Sequence, residues 1–145
     1  MDNPKLLLHA EKTLPHYGVL QAKGNGFTYL KVDDGYIHSL FELLTEKGWT
    51  KPPYFRRADA PGAHVSVLYE KEGESLSPIP HIGKIFHFKI KEIVQVRARY
   101  DQYIVLRVES PELEAYRTSL GLSPKLQNHD YHISIAKKSL KKKTP

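Results

Sequence analysis

Two six-residue stretches, one near the middle of the chain and one near its end, share a single alternation of apolar and polar positions. In Ala63-His64-Val65-Ser66-Val67-Leu68 and Tyr131-His132-Ile133-Ser134-Ile135-Ala136, a His-x-Ser triplet is threaded through β-branched residues. Successive side chains of a strand point to opposite faces, so each stretch predicts a strand with an imidazole and a hydroxyl on one side. Val65 and Val67, or Ile133 and Ile135, then fill the other side. Along each strand the His and Ser side chains stand roughly 7 Å apart at the β rise.

The pattern changes period elsewhere. Residues 27–32 are rich in aromatic and β-branched types and read as a strand. Asp33 or Asp34 can cap a helix that Gly48 ends, and within it Ile37, Leu40, Phe41 and Leu44 make one apolar face. Residues 84–109 read as a β meander. Phe86, Phe88 and Ile90 alternate with polar positions, as do Val94 and Val96, then Ile104, Leu106 and Val108, with Asp101-Gln102 as a hairpin tip. Ser110 and Pro111 open a second helix with Leu113, Tyr116 and Leu120 as its stripe and Gly121 at its end. Pro52-Pro53 and Pro61-Gly62 make residues 49–62 a loop, and residues 70–80 and 123–130 read as polar connectors. In residues 1–26, Leu6-Leu7-Leu8 is a short strand or helix, and Gly18, Gly24 and Gly26 break the remainder of the segment into turns.

Strand, capped helix, connector and His-x-Ser strand thus occur twice. The expected fold is α+β and bilobal: two antiparallel β-sheets flank a central cleft, helices lie outside, and the halves form a pseudo-twofold repeat. With 145 residues the chain has the length of one domain. Residues 1–136 are assigned to it and 137–145 to a basic C-terminal tail. Without cysteine there is no disulfide, thiolate nucleophile or zinc-thiolate site. The absence of a long apolar run argues against a membrane span or signal peptide, so the expected compartment is the cytoplasm, or a host cytoplasm for a viral product. A formal charge of +6 favours polyanionic partners, with the tail supplying much of it.

A lone His-x-Ser triplet is most simply a half-buried strand; its recurrence in matched context makes it a candidate site. Cleaving a phosphodiester without metal needs a base on the attacking oxygen and an acid on the leaving oxygen. Imidazole serves both roles because its pKa near 6.5 allows either protonation state around neutrality. His64 and His132 are therefore the candidate acid and base, in an order the sequence leaves open. Ser66 and Ser134 are candidate donors to the non-bridging oxygens. No carboxylate cluster has metal-ligand spacing. His129-Asp130-x-His132 comes nearest, but on a strand His129 points away from the other two. No metal or cofactor is expected. The loop before the first triplet carries Tyr54, Arg56 and Arg57, suited to holding a base and a phosphate, and Tyr69 could stack on a base. Tyr131 and Tyr36 are expected in the core.

His64-Val65-Ser66 and His132-Ile133-Ser134 resemble the signature of the two-histidine (2H) phosphoesterase superfamily, two His-x-Thr/Ser motifs on strands with apolar neighbours. The resemblance covers most of residues 27–136, with Ser in both motifs where Thr is commoner. Its members include bacterial RNA ligase-like and tRNA-splicing cyclic phosphodiesterases and phage anti-CBASS nucleases. The resemblance implies a metal-independent phosphodiesterase acting on a cyclic nucleotide or cyclic oligonucleotide. An RNA-processing 2′,3′-cyclic phosphodiesterase is the near alternative. A non-catalytic module binding single-stranded RNA or nucleotides is the distant one.

Overall fold

The computed structural model describes residues 3–55, 57 and 59–140. Seven strands form one sheet, in which every named pairing is antiparallel: β1 (Tyr17–Ala22), β2 (Thr28–Lys31), β3 (His64–Leu68), β4 (Ile85–His87), β5 (Lys89–Ala98), β6 (Asp101–Glu109) and β7 (Tyr131–Ser139). Their spatial order is β4-β1-β2-β3-β7-β6-β5. The two motif strands therefore lie at the centre as neighbours. The expectation of two sheets facing across a cleft is corrected: the halves are joined edge to edge at Val65↔Ile133.

One face of the sheet is apolar because every second residue is. Leu20, Leu30, Val65, Ile104, Leu106, Ile133 and Ile135 are all fully buried. The helices α1 (Asn3–Thr13), α2 (Gly35–Glu42) and α4 (Pro111–Ser119) contribute Leu6, Ala10, Ile37, Leu40 and Leu113 to the same core. Ser110 caps α4, its hydroxyl accepting from the Leu113 amide at 3.1 Å. Tyr36 and Tyr131 are buried as expected, their hydroxyls donating to the Pro15 and Pro124 carbonyls.

Each motif strand carries a register shift at the same place. β3 steps at Val67 against β2, and β7 steps at Ile135 against β6. A bulge advances the strand by one unpaired residue. Consecutive residues can then both turn inward, and Val67 with Leu68, and Ile135 with Ala136, are buried.

Several boundaries differ from the sequence reading. β4 does not join β5 in a meander; it crosses to pair with β1 at the opposite edge. The β5–β6 tip falls at Arg99 and Tyr100, since Ala98 already pairs with Asp101. Residues 70–75 are a short helix, α3 (Glu70–Ser75), not loop. It is anchored by the buried Arg117, whose guanidinium grips both Glu72 carboxylate oxygens at 2.9 Å and the Val67 carbonyl at 2.8 Å. β7 continues through Ser139, so Lys137 and Lys138 belong to the sheet and not to a tail. Residues 141–145 of the expected tail lie outside the described residues.

Candidate active site

The Val65↔Ile133 pairing sets the geometry of everything on the opposite face. In antiparallel register it brings His64 alongside Ser134 and Ser66 alongside His132, with the two imidazoles on one diagonal and the two hydroxyls on the other. Neighbours across strands stand about 5 Å apart at Cβ. Flanking strands extend these into two rows. One runs Gln21, Tyr29, Ser66, His132, Arg107, Glu92; the other runs Val19, Lys31, His64, Ser134, Val105, Val94.

His64 is held from below and from the sides. Its Nδ1–H donates to the Gly62 carbonyl at 2.7 Å, which leaves Nε2 as the nitrogen with a free lone pair. Gly62 has φ +64°, and a Cβ there would lie 2.5 Å from Asp34 Oδ1. That carboxylate accepts from the Ala63 amide at 3.0 Å and from Lys31 Nζ, which also reaches the Val32 and Ala63 carbonyls. The tie between β2 and the loop fixes the carbonyl that orients the imidazole. Edge-on rings enclose it: Tyr54 at 4.7 Å between centroids, Tyr29 at 5.7 Å and Phe27 at 6.0 Å. The Tyr54 hydroxyl lies near Ser134, the cross-strand neighbour of His64, and burial raises its pKa.

His132 has the same tautomeric arrangement in a more open setting. Its Nδ1–H donates to the Asp130 carbonyl at 3.3 Å. The Asp130 carboxylate turns instead to Lys125 at 2.8 Å and Lys91 at 3.2 Å, and these bonds hold its pKa low. A cavity of about 480 Å³ opens beside His132, lined by Val96, Val105, Arg107, His129 and Asp130. A second cavity, of about 650 Å³, lies at the end of the β3/β7 seam against Phe27, Tyr69, Leu126 and Gln127.

Both imidazoles are pushed below their ordinary pKa, chiefly by desolvation. Positive neighbours add to the effect: Lys31, His132 and Lys23 around His64, and His129 and Arg107 around His132. The Gly62 and Asp130 carbonyls oppose it by accepting from each ring. The pair can therefore supply a neutral acceptor nitrogen near neutrality and a proton donor once one ring is protonated.

Of the residues singled out from sequence, His64, Ser66, His132, Ser134 and Tyr54 come together here. Tyr69, 41% exposed, sits at the larger cavity beyond the end of β3. Arg57 is exposed in the loop, and Arg56 lies outside the described residues. Sequence reasoning assigned no role in the site to Phe27, Tyr29, Lys31, Asp34 or Arg107. The available signal was a lone cation between buried aliphatics, Leu30-Lys31-Val32 and Leu106-Arg107-Val108, which marks the polar face of a strand. Among the described residues no three His, Asp or Glu side chains gather as a metal site requires. No helix of the described residues is long and apolar enough to cross a membrane.

Paired His-x-Ser strands at the centre of an antiparallel sheet define the class: the chain belongs to the 2H phosphoesterases. The family model that matches is described as Swiss Army Knife, 2H phosphoesterase domain, and it covers residues 28–141. No curated protein and no solved structure matches the chain. Phosphodiester hydrolysis is the activity such a domain generally carries.

Proposed function

We propose that this protein is a metal-independent phosphodiesterase that opens a phosphodiester bond in a cyclic nucleotide or cyclic oligonucleotide. The observation that carries the reading is the diagonal of His64 and His132, each with Nδ1–H tied to a carbonyl two residues upstream in the chain. A phosphorus over the β3/β7 seam has one Nε2 on either side. One histidine takes the proton of the attacking oxygen as its bond to phosphorus forms. The other donates a proton to the oxygen that leaves as the second P–O bond breaks. Ser66 and Ser134 donate to the non-bridging oxygens, where negative charge must be accommodated. With a 2′,3′-cyclic phosphate, water attacks and a phosphomonoester results. With a 3′–5′ linkage, the substrate's own 2′-OH attacks and leaves a 2′,3′-cyclic end. Tyr54 and Tyr69 border the site where a base would lie, and Arg56 and Arg57 supply charge in the preceding loop.

A hydrolysis screen in excess EDTA tests the reading. Wild type and the His64→Ala/His132→Ala double variant are compared on 2′,3′-cyclic mononucleotides, cyclic di- and trinucleotides and a short RNA, with products read by chromatography. Product from wild type alone is expected. The identity of the substrate separates a cyclic-oligonucleotide enzyme from an RNA-end 2′,3′-cyclic phosphodiesterase. Equal binding by both proteins with no cleavage would replace the enzyme by a nucleotide-binding module.

A further inference from the structure

Each histidine has a cation beside it on the outer strand, Lys31 for His64 and Arg107 for His132. The two cations are used differently. Lys31 Nζ is surrounded by the Asp34 carboxylate and two backbone carbonyls, so it belongs to the frame. Arg107 donates from Nη1 to Glu92 at 3.0 Å, and among the described residues Nε and Nη2 have no hydrogen-bond partner. It lines the cavity of about 480 Å³ and stands one strand further out than His132. A phosphorus flanked by both imidazoles lies on the inner side of His132, so an anion on Arg107 is a different one. A guanidinium offers a planar fork that matches phosphate oxygens. The carboxylate in the cavity lining is that of Asp130, already matched by Lys91 and Lys125.

From this placement we infer that Arg107 and its cavity form a subsite for a second, non-scissile phosphate. The preferred substrate is then a nucleotide carrying two phosphoryl groups. The inference rests on the phosphodiesterase reading for its account of the first phosphate. The second has two possible sources, the next phosphodiester of an oligonucleotide or a 5′-terminal phosphate.

The test measures kcat/KM in EDTA for wild type, Arg107→Ala and Arg107→Lys. Three substrates are compared: a nucleoside 2′,3′-cyclic phosphate, its 5′-phosphorylated form, and a dinucleotide ending in a 2′,3′-cyclic phosphate. Wild type should favour at least one of the two-phosphate substrates. Arg107→Ala should cut that preference about tenfold through KM, and Arg107→Lys should restore part of it. Whichever substrate keeps the preference names the source. An equal loss on all three substrates, or no preference in wild type, overturns the subsite. A second arm needs no turnover: calorimetry compares a nucleoside 3′,5′-bisphosphate with the 3′-monophosphate on wild type and Arg107→Ala. A bisphosphate bound no more tightly than the monophosphate by wild type overturns the subsite even where cleavage is seen. An Arg107-dependent bisphosphate preference in a protein that cleaves nothing upholds the subsite and removes the phosphodiesterase reading.

Discussion

The two halves of the site carry the same triplet and treat it differently. His64 sits within three aromatic rings, with its carbonyl acceptor at 2.7 Å on a loop strapped by Asp34 and Lys31. His132 stands at an open wall, with its acceptor at 3.3 Å and an arginine whose fork is mostly unengaged. Strands that carry the same triplet differ in their neighbours. One half holds its imidazole in place; the other leaves room beside it. A phosphodiester has an attacking and a leaving side, and an unequal pair of environments suits it better than an equal one.

The sharpest way to break this comparison is to remove each histidine singly. His64→Ala and His132→Ala should each lower kcat by ~10²–10⁴ with the fold retained by circular dichroism. A near-normal rate in either variant would end the view that both halves take part in chemistry. Next in size is the response to pH. The base must be neutral, and its lowered pKa lets it work further into acid; the acid must be protonated, and its lowered pKa makes it fail earlier as pH rises. The log kcat/KM profile should therefore be a bell whose maximum lies on the acid side of the ordinary histidine pKa of about 6.5. A plateau extending above pH 8 would contradict lowered values for both rings.

Smaller effects separate the closed half from the open one. Gly62→Ala forces a Cβ against Asp34 at a left-handed φ, and it should cost about 1–3 kcal/mol in chemical denaturation as well as activity. The matching position before His132 is Asp130, whose carbonyl does the same work without unusual φ. Asp130→Ala loses only partly exposed pairs and should cost about 0–1 kcal/mol. Similar costs at the two positions would erase the difference between the halves. Tyr54→Phe keeps the ring on His64 and removes only the hydroxyl near Ser134, for an expected loss of about 0.5–1.5 kcal/mol in transition-state stabilisation, read as kcat/KM.

How much of the fold and site can be read from the chain alone depends on how local the cause is. The motif strands, the α4 cap at Ser110 and the buried tyrosines are legible because alternation and capping act over a few residues. The segment that forms α1 reads equally as strand or helix, because among the described residues Leu6 and Ala10 are its only fully buried positions. β4 escapes the expected meander because nothing in Ile85-Phe86-His87 says which edge it will join. Arg107 and Lys31 acquire meaning only through pairings with strands far along the chain. So does the aromatic wall around His64, assembled from β2 and the loop after α2.

The bulge at Ile135 has a consequence for insertions and deletions. It is a phase change: before it the even-numbered residues His132 and Ser134 face the site, and after it Lys137 does, paired with Tyr103. Deleting Ile135 would remove the bulge and leave Ala136 inward and Lys137 on the site face, whereas inserting one residue between Ala136 and Lys137 would carry Lys137 toward the α2 side of the sheet, while the His-x-Ser triplet itself kept its spelling. A chain can thus change which side chains border this face with both His-x-Ser motifs intact. Motif strands whose spacing to the residues after them has changed by one should be judged by their phase as well as by their letters.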